Sequence, residues 1–202
     1  MARALLLDLG NVLVPFDHGL TLARLEEATG VPASALRPHV FGPLERDFDL
    51  GRLGPAAFFR AVEAAASFPR LSDDVWIPAW RDIFFRDERA LGLLRRLAPG
   101  ATRVLVSNTN VLHWEGVLAV APEIPRLLPR RALSFEIGCA KPDPAHFEAA
   151  LALAGVPPRD AVFADDRAEM VEAARALGID AFAVARPDDL EEGLRTRSLL
   201  GS

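Results

Sequence analysis

Four short clusters gather the carboxylates, the amine and the hydroxyl that could do chemistry together in this chain: Asp8-Leu-Gly-Asn11, Ser107-Asn-Thr-Asn110, Lys141-Pro-Asp-Pro144 and Asp165-Asp166. A carboxylate such as that of Asp8 attacks phosphorus once its repulsion with the phosphate is relieved. Mg²⁺ held by further carboxylates and carbonyls relieves it and bridges to a phosphate oxygen. A lysine adds a point charge against the group in transfer, and hydroxyl and backbone N–H groups fix the remaining oxygens. Asp8, Asp165, Asp166, Lys141 and Ser107 supply that set.

Each cluster also has a local explanation. Asp8 after an apolar run, followed by Gly-Asn, reads as a turn aspartate. Ser107 or Asn110 can cap the helix that follows. Asp143-Pro144 has the form of an N-cap with proline in the first helical position. Asp166 with Glu169 has capping-box spacing. Capping does not account for the residue choices as a set. Lys141 is the only lysine, Asn11, Asn108 and Asn110 are the only asparagines, and the chain has no glutamine or tyrosine.

Short apolar runs at Ala4–Leu9, Arg103–Val106, Ala161–Ala164 and Ile179–Val184 read as buried parallel strands. Helical patterns lie between them at Glu88–Leu97, Val111–Val120, Pro144–Leu153, Arg167–Leu177 and Asp189–Arg197. This alternation points to an α/β fold with a doubly wound parallel sheet. The four clusters then fall at strand ends or just before helices, the edge where open α/β sheets bind ligands. From Pro15 to Asp87 the sequence gives helical patterns and no convincing strand: Thr21–Thr29, Pro55–Ser67 and Asp73–Phe85 are amphipathic. A stretch of about seventy residues is too long for a crossover loop, so a small helical domain inserted after the first strand is expected. The expected division is 1–14 with 88–202 as core and 15–87 as insertion. Trp76, Trp80, Phe84 and Phe85 read as the core of that insertion, and the Phe41–Pro55 stretch, with three glycines and two prolines, reads as a loop.

With 202 residues, half of them apolar, the chain can bury a full core. A net charge of −5 argues against nucleic acid as a general partner, and Arg126–Arg131 reads as a solvated loop. No run is long enough for a membrane span. Asp8, Gly10 and Asn11 interrupt the apolar stretch after Met-Ala-Arg, which argues against a signal peptide. A single cysteine, Cys139, excludes a disulfide framework and fits a cytoplasmic location. Oligomeric state is not readable from the sequence.

In order and spacing, Asp-Leu-Gly-Asn-Val, Ser-Asn-Thr-Asn, Lys-Pro-Asp-Pro and Phe-Ala-Asp-Asp resemble the four motifs of the haloacid dehalogenase (HAD) superfamily, and the helical insertion looks like its C1-type cap. The first motif is similar to that of phosphatase-like members, some of which act on sugar phosphates. The resemblance implies that Asp8 forms an aspartyl-phosphate and that Lys141 stabilises the transition state. It implies that Ser107, Asn108 (through its backbone N–H) and Asn11 contact the substrate. It also implies Mg²⁺ held by Asp8, the Gly10 carbonyl, Asp165 and Asp166. The partner is then a small-molecule phosphate.

Gly10 departs from this pattern, because most phosphatases of the superfamily carry a second aspartate there as general acid and base. Losing a general acid costs about 10²–10⁴-fold, least for leaving groups that depart unprotonated. Asp17 and His18, at the hinge into the insertion, are candidate replacements, although a polar hinge without chemistry is the favoured reading of the pair. Met170 stands where a polar residue is common, and His113 and Trp114 read as helix-packing residues. Two other readings remain open. A 2-haloacid dehalogenase would not need the acid at Gly10, but adjacent carboxylates repel an anionic substrate unless a cation is present. A phosphate-binding domain without turnover would gain nothing from Asp8.

Overall fold

The structure, a computed structural model, describes residues 4–186 and 188–201. The Met-Ala-Arg start and the last residue of the expected core span lie outside the described residues. The strands are β1 (Ala4–Leu7), β2 (Thr102–Ser107), β3 (Arg130–Leu133), β4 (Ala161–Asp165) and β5 (Asp180–Ala183). They form one parallel sheet in the order β3-β2-β1-β4-β5, with β1 at its centre. The architecture is the expected doubly wound α/β fold.

Before the second strand come α1 (His18–Thr29), α2 (Ala33–Val40), α3 (Pro43–Asp49), α4 (Pro55–Ala66), α5 (Asp73–Arg81) and α6 (Glu88–Arg95). The later helices are α7 (Val111–Val120), α8 (Ile124–Leu127), α9 (Ser134–Ile137), α10 (Pro144–Ala154), α11 (Ala168–Ala176) and α12 (Asp189–Thr196). Side chains alternate across a strand, so β1 feeds two apolar layers. Leu5 and Leu7 pack with Leu91 and Leu94 of α6 and Leu194 of α12. Leu6 packs on the other face with Phe147 of α10 and Val171 of α11. Each such leucine contributes about 1.5–3 kcal/mol relative to exposure, which fixes the strand that Asp8 follows.

Register carries the sheet to the site. Leu7 pairs with Leu105 on one side and Ala164 on the other. The ladder extends one residue further through Asp8 N–H to the Ala164 carbonyl, at 2.9 Å. Asp8, Ser107 and Asp165 therefore leave the sheet side by side at its carboxyl edge.

The sequence reading missed β3. Arg130 and Arg131 are exposed, as a solvated segment requires, yet their backbone pairs with Val104 and Leu105. Charged residues at the start of a four-residue edge strand leave only Ala132 and Leu133 buried, which hides the strand pattern. The Phe41–Pro55 stretch likewise contains α3, with Pro43 in its first turn.

Helices α1 to α5 share an apolar cluster of their own, including Leu25, Phe48, Phe58, Phe59, Trp76 and Trp80, and Leu112 of α7 docks into it. Chain entry and exit run side by side: Asp17 N–H donates to Ile83 O at 3.0 Å, and Phe85 N–H to Pro15 O at 2.8 Å. Of the four expected core aromatics, Trp76 and Trp80 are buried. Phe85 is exposed, and Phe84 packs against the sheet-side layer instead. Among the described residues no helix is long and apolar enough to cross a membrane.

Candidate functional site

Lys141 sits at the centre of the carboxyl edge. Its Nζ donates to Asp8 Oδ1 and Asp165 Oδ2, each at 2.6 Å, and to the Val106 carbonyl at 2.9 Å. Burial alone would discharge this amine, but the two carboxylates hold its pKa above the usual lysine range. The loop that carries it is fixed by Asn108, whose side chain accepts from Lys141 N–H and donates to Lys141 O, both at 2.8 Å. These two bonds orient the Asn108 side chain towards the Lys141 main chain.

Asp166 completes an acidic group. One carboxylate oxygen each from Asp8, Asp165 and Asp166 lie within 4.8 Å of one another. Burial pushes the Asp8 carboxyl up to about 7, with Lys141 opposing and Asp165 adding to the rise. Three carboxylates facing a single ammonium leave the cluster negative when all are ionised. That donor set suits a hard divalent cation, which takes oxygen ligands.

The cluster floors a cavity of about 330 Å³. Ser107, Asn108 and Thr109 form one side, while Phe16, His18 and Phe84 with Glu45 and Asp49 form the wall contributed by the helical segment and its junction. Gly10 lines it too. A Cβ at position 10 would lie 2.7 Å from Phe16 Cε1, so the Phe16 ring occupies the space a side chain there would need.

His113, on α7, is tied into the wall through Asn110. Asn110 Oδ1 accepts from Trp80 Nε1–H at 3.1 Å and from His113 N–H at 3.0 Å, which identifies it as the oxygen. Its Nδ2 therefore donates, to Asp49 Oδ1 at 2.8 Å and to His113 Nδ1 at 3.1 Å. With Nδ1 accepting, the ring proton sits on Nε2. Burial, reinforced by nearby His18, lowers the His113 pKa to about 3. Unfolded chain takes up this proton near pH 6.5 and folded chain only near pH 3, so the contribution is intact above pH 6.5 and is lost as pH falls. Between pH 7 and pH 4 the wild type should lose about 3 kcal/mol more stability than His113→Phe, measured by urea unfolding at both pH values. Equal losses would contradict a neutral buried imidazole.

The family follows from comparison with known proteins. A model described as haloacid dehalogenase-like hydrolase matches residues 2–178. The chain belongs to the haloacid dehalogenase-like hydrolase family. A HAD family enzyme from Bacteroides thetaiotaomicron, solved with magnesium and inorganic phosphate, is 26% identical. It superposes with a TM-score of 0.80 over 91% of this chain and 94% of that one. An L-2-haloacid dehalogenase from Xanthobacter autotrophicus shares the fold at 18% identity, with a TM-score of 0.66 over 100% of this chain and 84% of that one. The drimenol cyclase drtB of Aspergillus calidoustus is 28% identical over 200 residues, covering 96% of this chain. The match takes in 36% of the cyclase, so the chain spans about a third of that relative's length.

In this HAD-like hydrolase, Asp8, Gly10, Ser107, Asn108, Lys141, Asp165 and Asp166 all line the one cavity. Asn11 does not. It is exposed, adopts a left-handed φ of 56°, and donates to Asp166 Oδ2 at 3.3 Å. Its side chain orients a carboxylate and is absent from the cavity lining. Asp17 is spent on capping α1, accepting from Gly19 N–H at 2.7 Å. The expected capping box of Asp166 and Glu169 is not formed, because α11 starts after Arg167, whose N–H donates to Asp165 Oδ1 at 2.9 Å. Met170 and Arg167 line the cavity, and Trp114 stays in the core. The sequence points to the Phe41–Ala56 region for substrate-specificity residues but does not single out Glu45 and Asp49, whose one signal is an i,i+4 carboxylate pair on a short helix.

Proposed function

We propose that this HAD-like hydrolase is a Mg²⁺-dependent phosphomonoester hydrolase that works through an aspartyl-phosphate on Asp8, with a small metabolite phosphate, such as a sugar phosphate, as substrate. One observation carries this reading: Lys141 is shared at 2.6 Å by two buried carboxylates beside a third, an anionic site that accepts a phosphate only with a cation present. The ligands of that ion would be Asp8, the Gly10 carbonyl, Asp165 and Asp166. When bound, the ion neutralises the repulsion between carboxylate and phosphate.

The chain's own groups then act in sequence. Lys141 holds the Asp8 carboxylate oriented and offers positive charge to the phosphoryl group as the ester bond breaks. Ser107 Oγ and the Asn108 N–H hold phosphoryl oxygens. Water then hydrolyses the aspartyl-phosphate and regenerates Asp8. In this scheme residues 15–87 form a C1-type cap over a core of 1–14 and 88–202, and the cavity between them takes the leaving group. The magnesium and phosphate in the Bacteroides thetaiotaomicron structure support the scheme by analogy.

The test is phosphate release from a panel of sugar, alkyl and aryl monophosphates with Mg²⁺ and with chelator. Turnover should fall at least about 100-fold on chelation and return with added Mg²⁺. Release of halide from 2-haloacids without metal, and no phosphate from any ester, would overturn the proposal in favour of dehalogenation.

A further inference from the structure

Gly10 has no side chain at the position from which a general acid would be expected to act, and a Cβ there would require the Phe16 ring, 2.7 Å away, to shift. The proton for the leaving oxygen therefore has to come from elsewhere in the cavity wall. Outside the cluster of Lys141 and its aspartates, the ionisable residues lining the cavity are His18, Glu45, Asp49, His113 and Arg167.

Four of these are unsuited to giving a proton. A guanidinium such as that of Arg167 does not deprotonate in proteins, and it pairs with Glu169. His113 carries its proton on Nε2 as a neutral imidazole, which is a far weaker acid than imidazolium. His18 is lowered to about 4 by burial, with Arg37 adding, so it too is neutral at working pH. Asp49 is raised by burial only to about 6, with the hydrogen bond that its Oδ1 accepts from Asn110 Nδ2 at 2.8 Å opposing the rise, so its carboxyl is mostly ionised at neutral pH.

Glu45 is the one that remains. It lies one turn before Asp49 on α3, lines the cavity, is half-buried, and draws no hydrogen bond or ion pair from the described residues. Burial, with Asp49 adding, pushes its carboxyl up to about 8, so it holds its proton at neutral pH.

We propose that Glu45 is the general acid of this site, donating its carboxyl proton to the leaving oxygen of the phosphate ester; this rests on the phosphatase reading above. In the first half-reaction Asp8 Oδ forms a bond to phosphorus as the ester P–O bond breaks. The Glu45 proton passes to the departing oxygen, leaving an alcohol and a Glu45 carboxylate. In the second half-reaction that carboxylate takes a proton from the water that attacks the aspartyl-phosphate, which restores both residues. A cap residue thereby supplies what Gly10 lacks, and the leaving group need not be intrinsically good.

Leaving-group dependence tests this directly. Glu45→Gln keeps the shape and neutrality of the protonated side chain and removes only the transferable proton. Its kcat/KM should fall about 10²–10⁴-fold on an alkyl monophosphate. On p-nitrophenyl phosphate, whose phenolate departs unprotonated, kcat/KM reports only the steps up to phenolate release and should stay within about 3-fold of wild type, while kcat falls because the same residue activates water in the second half-reaction. An equal loss of kcat/KM on both esters, or no loss on the alkyl ester, overturns the assignment while leaving the phosphatase reading intact. Failure of the wild type to turn over either ester removes both.

Discussion

Asp8→Asn is expected to abolish phosphate release, with at least about 10⁴-fold lost from kcat, the scale seen when a covalent nucleophile is removed. The substitution is nearly isosteric, and the neighbourhood is built to tolerate it. Lys141 keeps its 2.6 Å partner Asp165 and the Val106 carbonyl at 2.9 Å. Asp8 itself is only 7% exposed, so its charge is held in the fold against a desolvation cost. Replacing it with a neutral amide relieves that cost. The thermal midpoint should therefore stay level or rise while turnover disappears. Phosphate-release assays and thermal melts on the same preparation check both. Residual turnover above 1% of wild type would assign the attack to another group, whereas a collapsed midpoint would make Asp8 a structural residue.

Much of this site was legible because the chain is sparing with particular residue types. The single lysine marks Lys141, and an aspartate closing an apolar strand marks Asp8. The parallel sheet follows from short apolar runs, since strands buried on both faces show no alternation to misread. Strand β3 was illegible for the opposite reason: it lies at an edge, and Arg130 and Arg131 give it the look of a solvated loop. The cavity wall was illegible on other grounds. Glu45 and Asp49 sit on a seven-residue helix between Gly42 and Gly51, where sequence favours a loop. They line the same cavity as Asp8, although the chain that carries them enters and leaves through the paired Asp17–Ile83 and Phe85–Pro15 backbone bonds, far from Asp8 in sequence. The conflict between Phe16 and any side chain at position 10 is likewise a distance in space, six residues apart in sequence. Spacing alone explains neither why Gly10 is glycine nor where a proton donor stands.

The same charge balance predicts the largest effect on stability. Lys141→Met replaces the shared cation with an apolar side chain of similar length and leaves Asp8 and Asp165, 7% and 1% exposed, facing each other. Breaking a buried ion pair from one side costs about 3–5 kcal/mol, because the remaining charge keeps its desolvation penalty and loses its attraction. Here two carboxylates lose one partner, and the Val106 carbonyl also loses its donor. For a domain of this size the thermal midpoint should drop by roughly 10 °C or more without metal. Two further measurements separate charge imbalance from a packing defect. Adding Asp165→Asn to Lys141→Met should recover part of the loss, since it removes one of the opposed charges. Millimolar Mg²⁺ should raise the midpoint of Lys141→Met more than that of wild type, because a cation on the three aspartates takes over the neutralising role of the amine. A midpoint within 2 °C of wild type would mean that Asp8 and Asp165 are not both ionised in the folded protein, and the electrostatic case for a divalent cation would fall with it.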